Sequence, residues 1–332
     1  MFIPETYQAA LLLMILSMIC WGSWANTLKL APNFRFQLFY WDYVIGLAAG
    51  AVLWGLTAGS LGHSGASFLD AVMHTPGDAI AYAICGGIIF NIANLLLVAA
   101  IDVAGLAVAF PVGIGLALIV GTISSYIVRP AANPLLLFGG VALVTIAIIL
   151  DAAAYRRREQ NAPAATTRGI VLSLIAGLLM GSFYPLVARA MSAPQSGSGP
   201  GPYATALFFA IGVLISTVPA NLLLMKKPLD GKAPVQMSAY WSAPFRWHAA
   251  GWVGGAIWAT GAIANFVASQ TNFVGPAVSY SIGQGATMVS ACWGVFIWRE
   301  FAGSPPSAKF LLFLMFVFFL LGLGSIALAP LH

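Results

Sequence analysis

Charge is what this chain has least of. Asp, Glu, Lys and Arg make up 7% of its 332 residues, against 60% hydrophobic residues. A water-exposed surface needs about a quarter of its residues charged, so a soluble globular domain is excluded and the bilayer is the solvent. Cysteine is scarce too. Cys20, Cys85 and Cys292 fall in separate apolar runs, which excludes a disulfide framework and a cysteine metal cluster. His63, His74, His248 and His332 sit in loops or at ends. They offer no metal pair and no dyad with a reachable Ser or Cys, so neither metal nor cofactor is expected. The formal charge of +5 is spread over the ends of apolar runs. No basic patch gathers, and nucleic acid is not a partner. The first ten residues carry Glu5 and no Lys or Arg, unlike a cleaved signal peptide.

What the chain has in abundance is apolar runs of spanning length, about 20 residues each. Ten are expected, over residues 7–28, 38–59, 79–100, 105–128, 133–153, 169–191, 203–225, 248–268, 274–298 and 310–329. The expected fold is an all-α polytopic membrane protein. Residues 192–202, rich in Gly, Ser and Pro, read as a flexible loop. Residues 226–247 are the longest polar connection and are expected to hold a short surface helix.

Twelve of the 14 basic residues fall on one side of these spans: Lys29, Arg35, Arg156, Arg157, Arg158, Arg168, Lys226, Lys227, Lys232, Arg246, Arg299 and Lys309. Only Arg129 and Arg189 fall on the other. The heavy side is expected to be cytoplasmic, which leaves both termini outside. The destination is the plasma membrane, or the inner membrane if the source is bacterial.

One motif is written twice at an offset of 170. Gly105-Leu-Ala-Val-Ala-Phe-Pro-Val-Gly-Ile-Gly115 reads against Gly275-Pro-Ala-Val-Ser-Tyr-Ser-Ile-Gly-Gln-Gly285, with the three glycines and an Ala-Val pair shared. The register continues from Tyr126-Ile127-Val128-Arg129 to Phe296-Ile297-Trp298-Arg299. Trp21-Gly22-Ser23-Trp24 pairs with Met180-Gly181-Ser182-Phe183, and Gly86-Gly87 with Phe90 pairs with Gly254-Gly255 with Trp258. Two five-helix repeats follow: residues 1–154 and 169–332, joined by a polar cytoplasmic linker, 155–168. Five spans per repeat invert the second half, and a duplicated Gly-broken apolar segment points to a solute site between inverted halves.

Phe39-Tyr40-Trp41-Asp42-Tyr43, the stretch GLLMGSFYP over 177–185, and Trp293-Gly294-Val295 with Arg299-Glu300 resemble segments of the ureide permeases. That family belongs to the ten-helix drug/metabolite transporter superfamily. The related glucose/ribose and rhamnose porters are similar at Trp21-Gly22-Ser23 and Trp293-Gly294-Val295. The likeness covers nearly the whole chain in short motifs. It implies secondary transport of a small neutral metabolite. Two departures stand out. Plant ureide permeases carry a long central loop with a nucleotide-binding-like motif, whereas this linker is short and has no G-x-x-x-x-G-K-[ST], so ATP coupling has no support. Many ten-helix relatives are drawn with cytoplasmic termini, and the charge count says the opposite. The charges are followed here.

Polar groups at membrane depth need a reason. Asn91 and Asn94, three apart in the third span, offer uncharged amides suited to a neutral solute; interhelical bonding is the structural alternative. Trp258, Gly261, Ala262 and Asn265 share a helical face, with Trp258 able to stack on a flat ring or a sugar face. Tyr280 and Gln284 lie in the duplicated motif opposite apolar Phe110 and Ile114, so the polar reading groups are expected in the second half. Trp21 and Tyr184 complete the expected lining. Pro111, Gly113, Gly115, Gly283 and Gly285 are the expected hinge or cavity backbone. Asp42 is the expected proton-coupling carboxylate, against a helix-start role. Glu300, after Arg299, is expected in an ion pair or gate.

The leading function is import of a small neutral polar solute by alternating access, best matched to a ureide or nucleobase-like heterocycle, with protons as the coupling ion. A monosaccharide porter is the first alternative and a drug or amino-acid exporter the second. A membrane-embedded enzyme would need a catalytic pair that the chain lacks, and a channel fits the inverted repeat less well. Besides solute, protons and lipid, a homodimer is compatible with the sequence, which does not fix the oligomeric state.

Overall fold

The computed structural model describes residues 1–61, 64–158, 166–191, 199–229 and 231–332, all of it helix and connection. The long helices are α1 (Tyr7–Ser23), α2 (Phe36–Leu56), α3 (Gly77–Ala104), α4 (Leu106–Val128), α5 (Pro134–Arg158), α6 (Thr167–Met191), α7 (Gly201–Lys226) and α8 (Phe245–Gln270). Two short helices follow, α9 (Gly275–Gly283) and α10 (Ala286–Cys292), then a π-helical turn over Trp293–Ile297 and the long α11 (Pro306–Leu328). Among the described residues nine helices are long and apolar enough to cross a membrane. The span expected over 274–298 is instead the broken run α9–α10–π turn. Gln284 and Gly285 separate its first two pieces, and single π turns are frequent at functional sites.

Several boundaries move. α5 runs on to Arg158 and α6 begins at Thr167, so the helices take up both ends of the expected linker. Its middle, 159–165, lies outside the described residues, as do His63 and most of the expected loop 192–202. The expected surface helix appears over Ser238–Trp241. The cysteines are not uniformly buried: Cys20 is, Cys292 is half-buried and Cys85 is exposed.

Cross-links sort the loops into two ends. At one, Tyr7 donates to the Ala327 carbonyl, Asn133 N–H to Ala329 O at 2.8 Å, Tyr203 Oη to Phe2 O at 3.1 Å, and Gln270 Nε2 to Met191 O at 3.3 Å. Both termini lie there. At the other, Arg35 donates to Ala233 O at 2.7 Å, and Lys29 and Arg158 reach Glu300 at 2.7 and 3.3 Å. The broken run travels from the termini end to the basic end.

The helices pair as α2 with α8, α3 with α7, α3 and α4 with α6, α1 with α8 and α10, and α5 with α11. Glycines permit the tightest approaches. A Cβ on Gly46 would stand 2.1 Å from the Trp252 carbonyl oxygen, and one on Gly212 2.2 Å from that of Ile84. In lipid, where apolar burial drives nothing, such backbone-level packing is what holds helices together. Gly105 and Gly275, opening α4 and α9, have φ of 76° and 77°, a left-handed conformation that glycine adopts freely.

Candidate functional site

Between the halves lies a cavity of about 260 Å³. Its floor is aromatic. Trp258 is 5% exposed and lies beside Phe90, with ring centroids 4.3 Å apart; Phe183 and Met180 complete the floor. Trp21 stacks on Trp258 at 5.9 Å and 19°. Behind Trp258, Phe209 stacks at 5.7 Å and 10°. The walls are Asn94, Leu97 and Val98 of α3, Ile114 of α4, and Gln284, Thr287 and Ser290 of the broken run. Towards the mouth stand Trp24, Ala25, Leu28, Phe36 and Ile101, all half-buried or exposed. These residues close α1 and α3 and open α2 at the basic end, so the cavity opens there.

The polar groups in this apolar chamber are few and mostly unspent. Asn94 donates to Tyr40 Oη at 3.2 Å, while its carbonyl oxygen accepts from no described residue. The Gln284 amide, on the break between α9 and α10, bonds no described side chain although it is 9% exposed. Trp21 Nε1 is buried without a partner. A site with one acceptor, one amide and parallel indole faces suits a flat, uncharged solute with donors and acceptors at its rim.

Not every expected lining residue is here. Trp21, Asn94, Trp258 and Gln284 converge on the cavity. Asn91 is fully buried one turn away, accepting from Tyr40 Oη at 2.8 Å and Thr217 Oγ1 at 3.2 Å and donating to Ser216 Oγ at 2.9 Å. Asn265 accepts from Tyr184 Oη and donates to Ser17 Oγ at 3.1 Å and the Ser279 carbonyl at 2.9 Å. Tyr280 is fully buried and donates to the Ala117 carbonyl at 3.0 Å, its ring against Gly121. Tyr184, Asn265 and Tyr280 thus form a buried layer behind Trp21 on the termini side of the cavity, whereas Asn91 belongs to a separate network with α2 and α7. Pro111, Gly113 and Gly115 lie within unbroken α4, where Gly113 backs onto Gly177 of α6. Gly283 and Gly285 flank the break, and Gly283 packs against Trp21 and the Asn265 amide.

Asp42 is fully buried but does not stand apart from basic groups. His248 Nδ1 is 2.8 Å from Oδ2, and Tyr240 Oη donates to Oδ1 at 2.7 Å. His248, expected at the start of the span over 248–268, lies in the first turn of α8, which brings it onto the first turns of α2, and the Ser238–Trp241 helix folds Tyr240 over both. Burial, followed by the Asp42 hydrogen bond and charge, raises the Tyr240 phenol above its usual range. A second carboxylate went unnoticed in the sequence. Asp151 of α5 is 5% exposed, and its Oδ1 has no hydrogen-bond partner. It falls near the end of the span expected over 133–153. Thr287 was also missed, although it sits three residues after Gln284 on the same face. Glu300 is in the expected ion pair. Burial pushes its carboxyl up, but the bonds and charge of Lys29, then Tyr155 and Arg158, hold it net below the usual range.

Comparisons with known proteins find likenesses of sequence and of fold. The ureide permease family model matches residues 39–165, less than half of the chain. Ureide permease 1 of Arabidopsis thaliana is 27% identical over 160 residues, covering 47% of this chain and 41% of the relative; the matched part is about two fifths of that protein. Ureide permease 5 of the same plant aligns over 97% of this chain and 94% of its own length at 21% identity. These relatives are named permeases, which are transporters and not enzymes. A crystal structure superposes with a TM-score of 0.63 at 15% identity, covering 95% of this chain and 96% of that one, which is a likeness of fold.

Proposed function

We propose that this chain is a ureide-permease-like secondary transporter that imports a small, neutral, polar solute, with ureides and nucleobase-like heterocycles as the preferred class. The observation that carries the reading is the half-open chamber in which Trp21 and Trp258 stack over unspent amide groups of Asn94 and Gln284. The names of the relatives point the same way. Stacked indoles also suit a sugar face, so a monosaccharide is the second reading.

The mechanism in this reading is alternating access by two inverted five-helix repeats, with the broken run as a tenth crossing. It is supported by the packing pairs, which map onto themselves when the halves are exchanged: α3 on α6 becomes α8 on α1, and α2 on α8 becomes α7 on α3. The basic end is cytoplasmic and both termini are external, from the Lys and Arg asymmetry. The chamber then faces the cytoplasm and the Tyr184–Asn265–Tyr280 layer is the closed outer seal. Asp42, partnered by His248 and Tyr240, is the carboxylate assigned to carry a coupling proton.

Uptake into vesicles of a panel of ureides, nucleobases and monosaccharides tests the solute class. A removed hydrogen-bonding group costs about 1–3 kcal/mol, or roughly 5–150-fold in affinity. Asn94→Ala and Gln284→Ala are therefore expected to weaken sub-saturating uptake by that factor with membrane accumulation unchanged. Normal uptake by both variants would place the solute elsewhere.

A further inference from the structure

The outer seal has a charged bolt. Arg129, just past α4, sends Nη2 to two carbonyls that end α8, Ser269 O at 2.7 Å and Thr271 O at 2.8 Å. The last carbonyls of a helix lack intrahelical donors and carry the negative end of its dipole, so a guanidinium is well placed there. The contact ties α4 to the α8–α9 turn and so closes the termini end. Gly275 lies beside it: a Cβ there would stand 2.8 Å from Ala131 Cβ and at an ordinary contact distance of 3.6 Å from Arg129 Nη2.

Arg129 has a mate. At the offset that relates Gly105 to Gly275, it corresponds to Arg299, which follows the broken run as Arg129 follows α4. The two are in opposite conditions. Arg129 is half-buried, in extended backbone with φ −149° and ψ 100°. Arg299 is exposed, its side chain engages no described residue, and its φ is 51°. That is the left-handed region, which non-glycine residues rarely occupy and which recurs at switch sites. The counterpart of the α8 terminus is the last turn of α3, around residues 101–105, and Ile101 of that turn stands at the open mouth of the cavity.

We propose that Arg129 and Arg299 are alternating latches. Arg129 caps the end of α8 when the cavity is open to the basic end. Arg299 caps the end of α3, closing that mouth, when the cavity is open to the other side. This rests on the alternating-access reading above. It makes both arginines positioning residues, acting through the helix ends rather than on the solute.

The test uses purified full-length protein in detergent, with the three native cysteines replaced. Single reporters are Ser290→Cys on the exposed part of the cavity wall and Thr271→Cys at the seal, where Thr271 is 4% exposed. The readout is the rate of reaction with a maleimide. Arg299→Ala removes nothing visible in this state, yet it is expected to slow Thr271→Cys labelling about tenfold while Ser290→Cys stays reactive, because the opposite state loses its latch. Arg299→Lys keeps the charge but not the planar fork, and is expected to fall between. Arg129→Ala is expected to do the reverse, speeding Thr271→Cys labelling and slowing Ser290→Cys. If Arg129→Ala fails to fold, the two Arg299 variants decide. Labelling of Thr271→Cys at equal and measurable rates in all backgrounds overturns the latches alone, as does full rescue by Arg299→Lys, which would mark a simple interfacial charge. A Thr271→Cys that stays unreactive even beside Arg129→Ala overturns alternating access and the latches with it.

Discussion

Where α2 crosses α8, a Cβ on Gly255 would stand 1.9 Å from the Tyr43 carbonyl oxygen; where α3 crosses α7, a Cβ on Gly87 would stand 2.0 Å from that of Phe209. The reciprocal notches, Gly46 against Trp252 and Gly212 against Ile84, match as closely. The side chains at these two crossings differ sharply. Near the first sits the Asp42–His248–Tyr240 cluster; at the spacing that aligns Gly46 with Gly212, the position matching Asp42 holds half-buried Phe208. Near the second sits the uncharged Asn91 hub with Tyr40, Ser216 and Thr217. The mate of Asn91, 168 positions on, is Ala259. Two crossings thus share one backbone geometry, as the proposed exchange of roles requires, while their different side chains give one a carboxylate–histidine pair and the other a neutral network.

The largest expected effect tests the shared backbone. Gly87→Ala and Gly255→Ala each force a Cβ onto a carbonyl that cannot rotate aside, so each is expected to cost more than about 3 kcal/mol and to deplete folded protein from the membrane equally. Accumulation and thermal midpoint in detergent check this, and tolerance at one crossing alone would break the equivalence. Next comes the contrast in charge. Asp42→Ala strands His248 and Tyr240 and is expected to cost about 3 kcal/mol, whereas Asn91→Ala strands only neutral hydroxyls and an amide network, at about 1–3 kcal/mol. Thermal midpoints that rank Asn91→Ala as the worse variant would reverse the reading. A smaller effect concerns Trp258 and its mate Phe90. Trp258→Phe makes the floor symmetric and shrinks the stack on Trp21, worth about 0.5–1.5 kcal/mol. It is expected to raise the half-saturating solute concentration several-fold in uptake assays, with stability nearly unchanged.

The smallest effect lies at the basic end. Lys29 and Glu300 form a largely exposed pair, so Lys29→Ala is expected to cost at most about 1 kcal/mol near neutral pH. The Glu300 carboxyl is held below its usual range. Its contribution is therefore present above the ordinary carboxylate pKa and lost as pH falls through the lowered value. Thermal midpoints of the variant and the unmodified chain should converge only in that acidic window; convergence already at pH 6 would remove Glu300 from the account.

The membrane architecture was legible because the bilayer imposes it residue by residue: long apolar runs, basic ends, and helices as the structure that satisfies the backbone in lipid. Gly105 and Gly275 announced themselves because a left-handed turn selects glycine by its missing Cβ. Depth was not legible. Trp258 and Asn265 share a face of α8, but seven residues put them roughly 10 Å apart along the axis, enough for one to floor the cavity and the other to lie in the seal. Whether an amide faces a solute or a neighbouring helix depends on who stands opposite. That is how Asn91 and Asn94, three apart, part company, and how Tyr280 finds Ala117 instead of the chamber. Likewise His248, 206 positions from Asp42, meets it only because α8 crosses α2 at its first turns. Sequence alone determined that this chain lives in lipid and, to within a few residues, where most of its apolar helices lie, since those follow from local solvation and spacing. The tertiary structure decided which polar groups are spent and which are left to bind, since a hydrogen bond is satisfied by whatever the fold brings within about 3 Å.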